Sequence, residues 1–324
     1  MLEIALSVIG GLALFLYAVN ALSQTIKDIL GEKAKEWIAI FTKNIFTGIL
    51  TGAVVTTILD SSSAVIILTI VMVNAGALSF RQAMGIVMGA NIGTTVSSQI
   101  IAMDIGKFSP IFLAIGLILI MISRSAKMNA TGKAILYFGI LFFGLYTMER
   151  AVEPLREHPS FFAYMEKLKD PIRGSIAGAI VTLILQSSSA TVGMAIVLAK
   201  KGMISLTAGI AVMLGAELGT VSDTLLATIK GSKQAIKTGL FHLIFNLLSI
   251  IIGLILFHPF VQLVEKISSG AAVERSLANA HMLFNILGVV LFVGFVPFFE
   301  KGLNKLLPEK SEPTQTFEES ETMA

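Results

Sequence analysis

Val55-Thr56-Thr57-Ile58-Leu59-Asp60-Ser61-Ser62-Ser63-Ala64-Val65-Ile66 returns 126 residues later as Val181-Thr182-Leu183-Ile184-Leu185-Gln186-Ser187-Ser188-Ser189-Ala190-Thr191-Val192. Each copy interrupts an apolar stretch near its middle, 45–75 in the first case and 172–199 in the second. As single helices these stretches would be about 42–46 Å long, against a bilayer core of about 30 Å. Each half, at about 18–22 Å, reaches the midplane and no further. Both therefore read as re-entrant helical hairpins with serine-rich tips at mid-depth. One long tilted span through each is the alternative.

The repetition extends outward from the serines. A shift of 126 aligns 48–95 with 174–221 without a gap, and 19 of 48 positions are identical. The glycine pairs Gly48/Gly174, Gly52/Gly178, Gly76/Gly202, Gly89/Gly215 and Gly93/Gly219 all stay in register. The segments before the hairpins, 11–22 and 139–150, also look related. With a hairpin that does not cross, the first unit makes three crossings, and an odd number inverts the second unit. The expected fold is an all-α membrane protein with two inverted-topology repeats, 1–127 and 128–258. Each holds a re-entrant hairpin and a broken transmembrane helix. A linker and one extra transmembrane helix follow in 259–307, then a disordered acidic tail over 308–324.

Composition supports a membrane protein. The 324 residues are 55% hydrophobic and only 14% charged, with mean hydropathy +0.83. A soluble domain carries about a quarter charged residues, so the surplus apolar surface faces lipid. A net charge of +3 gives no footprint for nucleic acid. Without cysteine, disulfides, thiolate metal sites and cysteine nucleophiles are excluded. The run from Leu2 to about Leu22 is long enough to span and reads as the first membrane helix, not a cleaved signal. Basic residues such as Lys27, Lys33, Lys35, Arg124, Lys127, Lys233 and Lys301 gather on one side of this topology. The positive-inside rule then puts the C-terminus in the cytoplasm, with the protein in the plasma (inner) membrane.

A helix that restarts at mid-membrane leaves several backbone N–H groups unpaired and carries partial positive charge there. Ser61, Ser62 and Ser63, with Gln186, Ser187, Ser188 and Ser189, would add neutral donors around an oxyanion. Packing, or bonding back to their own helices, is the bland role for such serines. The segments Gly89-Ala90-Asn91-Ile92-Gly93-Thr94-Thr95 and Gly215-Ala216-Glu217-Leu218-Gly219-Thr220-Val221 follow the hairpins. If unwound, they offer carbonyls and hydroxyls to Na⁺; the glycine pairs equally suit close helix packing. Asp60, Glu217 and Asp223 are intramembrane acids, each able to ligate a cation or carry a proton. His242/Asn246 and His281/Asn285 each share one helix face, suited to interhelical hydrogen bonds more than to substrate. The sequence has no P-loop, HExxH or nucleophile elbow, so no enzyme is expected and uphill transport would need an ion gradient.

The QSSSA of 186–190, the segments GANIGTT (89–95) and GAELGT (215–220), and HLIFN (242–246) together resemble the type II sodium–phosphate cotransporter family. The resemblance covers nearly the whole chain to about residue 300. It implies Na⁺-coupled import of inorganic phosphate by alternating access, with both serine tips at the substrate. It further places Asn91, Thr94, Thr95 and Thr220 with the substrate. It puts Asn91, Gly93, Thr94, Gly219 and Thr220 near Na⁺ as coupling ion, with no other cofactor; Asp60, Glu217 and Asp223 join that set on their own chemistry, as intramembrane acids. Asp60 stands where the family has Gln, and Glu217 where it has Asn. These departures favour, as an alternative, a proton- or other cation-coupled carrier of a different small solute; a non-transporting membrane sensor or scaffold with the same fold is a further alternative. Many bacterial relatives continue into a phosphate-uptake-regulator-like domain; the short acidic tail here predicts its absence. The expected partners are inorganic phosphate, Na⁺ and lipid; a homodimer is admitted, but no residue specifies one.

Overall fold

The computed structural model describes residues 2–308 apart from Asp104, His158 and Lys230, and the backbone but not the side chains of Arg156 and Glu157. The expected acidic tail, beyond Pro308, lies outside the described residues. Those residues form helices and no strand. In order they are α1 (Leu2–Phe41), α2 (Ile45–Leu59), α3 (Ser62–Asn74), α4 (Phe80–Ile101), α5 (Ser109–Met121) and α6 (Ala126–Val152). Then come α7 (Pro159–Glu166), α8 (Pro171–Leu185), α9 (Ser188–Lys200), α10 (Leu206–Gly219) and α11 (Val221–Leu226). The last are α12 (Lys233–Ile255), α13 (Phe257–Ile267), α14 (Val273–Val293) and α15 (Val296–Leu306).

Among the described residues, five spans (α1, α6, α10 with α11, α12 and α14) are long and apolar enough to cross a membrane, or six if α4 and α5 count as one bent span. The chain is thus a multi-pass membrane protein. The sequence suggested seven crossings. The difference lies in α4 and α5, which count at most as one bent span; α5's 13 residues extend only about 20 Å. Two further elements were not anticipated. The stretch expected to be a linker contains α13, and α15 follows the last long helix; both are 11 residues and amphipathic.

The two polar interruptions end helices as expected. α2 stops at Asp60 and α8 at Gln186, and α3 and α9 restart after Ser61 and Ser187. The repeat recurs in the packing. A Cβ on Gly89 would strike the backbone of Ile49 and Ala53, and one on Gly215 that of Ser175 and Ala179, the same positions shifted by 126. Gly52 faces Ile86 as Gly178 faces Val212, and Gly93 faces Thr56 as Gly219 faces Thr182. α2 therefore lies backbone to backbone on α4, and α8 on α10. Small residues permit this approach, which lets dispersion between the helices replace a hydrophobic drive that lipid does not supply. Gly76 (φ 72°) and Gly202 (φ 66°) close the second helix of each pair in the left-handed region.

One expectation is corrected. The first Gly-Ala-Asn-Ile-Gly segment is not unwound, because α4 is continuous from Phe80 to Ile101. Its glycines are consumed by contact with α2. Thr94 and Thr95 donate to Ala90 O (3.0 Å) and Ile92 O (2.7 Å), within their own helix. Only the second copy departs from regular helix, at Thr220 between α10 and α11.

Gly178→Val, which drives a branched side chain into the Val212 backbone, is expected to cost about 1–3 kcal/mol by overpacking. Thermal unfolding in detergent should show a clear drop in melting temperature. Gly302→Ala, with nothing within 4 Å of the new Cβ, should melt like the parent.

Candidate substrate site

At both helix breaks the backbone takes a conformation that its residues disfavour. Asp60 (φ 52°, ψ 34°) and Gln186 (φ 53°, ψ 31°) are the only non-glycine residues with positive φ among those described. A helix end of this kind usually takes Gly. Keeping a non-glycine polar side chain there costs of order 1 kcal/mol and marks a position where that side chain has a use. Ser61 and Ser187 then turn to extended backbone and cap the next helices. Ser61 Oγ accepts from Ala64 N (3.2 Å) and Ser187 Oγ from Ala190 N (3.1 Å). The amides of Ser62, Ser63, Ser188 and Ser189 are left without helical partners.

The two tips meet. One cavity of about 310 Å³ is lined by Asp60, Ser61, Ser62 and Ser63 from one helix break and by Gln186, Ser187, Ser188 and Ser189 from the other. Thr94 and Thr220, equivalent under the 126-residue shift, also line it. At roughly 30 Å³ per water, the volume suits a small hydrated anion. Asp60 also lines a smaller neighbouring cavity of about 160 Å³ and accepts a hydrogen bond from Ser97 Oγ. The fourth wall was missed from sequence: Asn20, Ser23, Gln24 and Lys27 of α1. Their spacing of three, one and three puts them on one helix face, a polar stripe legible in an apolar helix. Ser23 donates to Leu59 O (3.0 Å), one of the carbonyls left open where α2 ends. Lys27 is the only basic side chain in the lining.

Other expected site residues lie apart from this cavity. Asn91 and Glu217 are buried in polar clusters beside it. Asn91 Nδ2 donates to Asn246 Oδ1 (2.6 Å), whose Nδ2 meets His242 Nε2 (2.9 Å); His242 Nδ1 meets Thr224 Oγ1 (2.8 Å). Glu217 Oε1 meets His281 Nε2 (2.6 Å), and His281 Nδ1 meets Ser98 Oγ (2.7 Å). Both His/Asn pairs thus serve interhelical hydrogen bonding. Gly93 and Gly219 are packing contacts. Thr95 is buried and bonded within α4. Asp223, beside Ser222, is half-buried and not among the lining residues. A groove of about 400 Å³ between α12, α13 and α14 is lined by residues such as Ile252, Leu256, Phe260 and Phe284 and suits apolar chains rather than an ion.

The profile of the Na⁺/Pi-cotransporter family matches residues 14–150 and 160–285, which carry both helix breaks and all of the cavity lining. The chain belongs to the Na⁺/Pi-cotransporter family. Among relatives of this cotransporter-family chain, the uncharacterized protein YqeW of Bacillus subtilis is 28% identical over 91% of this chain and 96% of its own length. The putative inorganic phosphate export protein YjbB of Salmonella typhimurium is 21% identical over 95% of this chain. The chain spans only about half of YjbB, 56% of its length. The human sodium-dependent phosphate transport protein 2B is 32% identical over 31% of this chain and 15% of its own length. No solved structure matches.

Ser61→Ala and Ser187→Ala each remove a cap, and each should cost about 1 kcal/mol. Melting temperatures should fall modestly for both. An unchanged melting temperature in both would contradict the capping assignment.

Proposed function

We propose that the chain is a secondary transporter that moves inorganic phosphate, coupled to Na⁺, by alternating access. The observation that carries this reading is the single cavity shared by both serine tips. Unpaired amides and hydroxyls converge there from two helix N-termini, which is the chemistry an oxyanion takes. Lys27 adds attraction for the anion at the α1 wall. In this reading the hairpins are re-entrant and the two repeats inverted, so the tips approach from opposite leaflets. Their helices, at 13–15 residues, are too short to cross alone. Binding is shared by Ser61, Ser62, Ser63, Gln186, Ser187, Ser188, Ser189, Thr94 and Thr220.

Na⁺ has oxygen donors close by. The Asp60 carboxylate, joined to Ser97 Oγ and facing both cavities, is the foremost candidate ligand. A cation at Asp60 would offset its repulsion of the anion. Because a plasma-membrane Na⁺ gradient points inward, coupling to it gives import, in the inner membrane with the C-terminus cytoplasmic. The opposite direction has one specific support: YjbB, named for putative phosphate export, aligns with 95% of this chain.

Purified protein in liposomes should accumulate radiolabelled phosphate when Na⁺ is high outside, and less when Na⁺ is equal across the membrane. Reversing the gradient reads direction. No saturable flux under either gradient overturns the proposal. Ser188→Ala and Lys27→Gln should each raise the KM for phosphate several-fold with a folded protein. Asp60→Gln keeps the tip geometry, since Gln186 already holds it, and should alter the Na⁺ dependence more than the KM for phosphate. An unchanged Na⁺ dependence removes Asp60 from the coupling site.

A further inference from the structure

The shift of 126 residues stops before α12, yet α12–α13 and α14–α15 carry a second repetition. Shifting α13 (Phe257–Ile267) by 39 residues gives the bounds of α15 (Val296–Leu306). The same shift carries His242, Phe245 and Asn246 onto His281, Phe284 and Asn285. It also exchanges the two main hydrophobic cores. Phe245, Val289, Val296 and Leu303 belong to the core of the first hairpin. Their partners at a distance of 39, Phe284, Ile250, Phe257 and Val264, belong to the core of the second.

The buried hydrogen bonds obey both shifts together. Asn91 and Glu217 are equivalent under 126, and so are Ser98 and Thr224. His242 bonds Thr224 from the second repeat and, through Asn246, Asn91 from the first. His281 bonds Ser98 from the first repeat and Glu217 from the second. One exchange of halves therefore converts either cluster into the other. Each histidine is a pin between the repeats.

The difference between Asn91 and its equivalent Glu217 explains how the pins differ. Asn91 is one methylene shorter than Glu and stops short of the imidazole, so Asn246 fills the gap. Glu217 reaches His281 directly, and Asn285 is released to bond His281 O (3.2 Å), with a longer contact to Glu217 Oε1 (3.4 Å). The tautomers follow. Asn246 Nδ2 donates to His242 Nε2, so His242 carries its proton on Nδ1 and donates to Thr224, whose hydroxyl donates onward to Val221 O. A neutral His281 is the reverse, with Nε2–H donating to Glu217 and Nδ1 accepting from Ser98.

Thr94 and Thr220, both in the cavity wall, lie three residues after Asn91 and Glu217, about one helical turn on. We infer that His242 and His281 are positioning residues, which hold the two threonine-bearing segments in register across the repeats and so fix opposite walls of the substrate cavity. The inference rests on the phosphate reading above for its transport readout, and on the hydrogen-bond geometry for its second.

The test is rescue across the pin. Asn246→Ala breaks the bridge between Asn91 and His242. It is expected to raise the KM for phosphate roughly tenfold, the effect of losing one buried hydrogen bond, with a smaller change in maximal rate. Adding Asn91→Glu lets a carboxylate reach His242 directly, as Glu217 reaches His281, and should return the KM to within about threefold of the parent. On the other side, Glu217→Asn should be tolerated because Asn285 can bridge as Asn246 does, whereas Glu217→Ala should not. An unchanged KM in Asn246→Ala overturns the inference. So does a folded double variant without rescue, or equal loss in Glu217→Asn and Glu217→Ala. If the parent protein moves no phosphate, the phosphate reading falls instead. The pins are then judged by melting temperature: restoration of the Asn246→Ala loss by Asn91→Glu supports them, and no restoration overturns them.

Discussion

A helix that begins inside protein or lipid must find acceptors for its first amides, and that need organises this molecule. Ser61 and Ser187 satisfy one amide each, at Ala64 and Ala190. The remaining first-turn donors of α3 and α9 open toward one shared cavity. Hydroxyls and amides supply attraction for an anion without the cost of burying several fixed charges. The left-handed backbone at Asp60 and Gln186 is the strain accepted to turn each chain there.

The glycines make this arrangement rigid. With Gly89 on Ile49 and Gly215 on Ser175, each hairpin's first helix is seated on the following long helix with no side chain between them. The same seat that locks α2 to α4 keeps α4 continuous where an unwound ion site was expected. The buried histidine clusters then join the seated pairs to each other by hydrogen bonds.

Much of the site was legible because the repeat duplicates it. One serine triplet in an apolar helix is ambiguous; two in register, each in an overlong stretch, locate both helix breaks. That the two breaks line one cavity is a long-range fact that no local pattern contains. The α1 wall was readable from the spacing of Asn20, Ser23, Gln24 and Lys27, but a strongly apolar helix drew attention from its polar stripe. Thr95 lies apart from the cavity because a hydroxyl that can ligate an ion also bonds back to its own helix. α13 and α15 escaped because short amphipathic helices have the composition of loops.

The most direct measurement is an anomalous-scattering map of the protein with arsenate, a phosphate mimic, soaked in. The account predicts one arsenic peak between the N-terminal turns of α3 and α9, within hydrogen-bonding distance of both serine clusters. A peak bound elsewhere, with that cavity left to water, would contradict it.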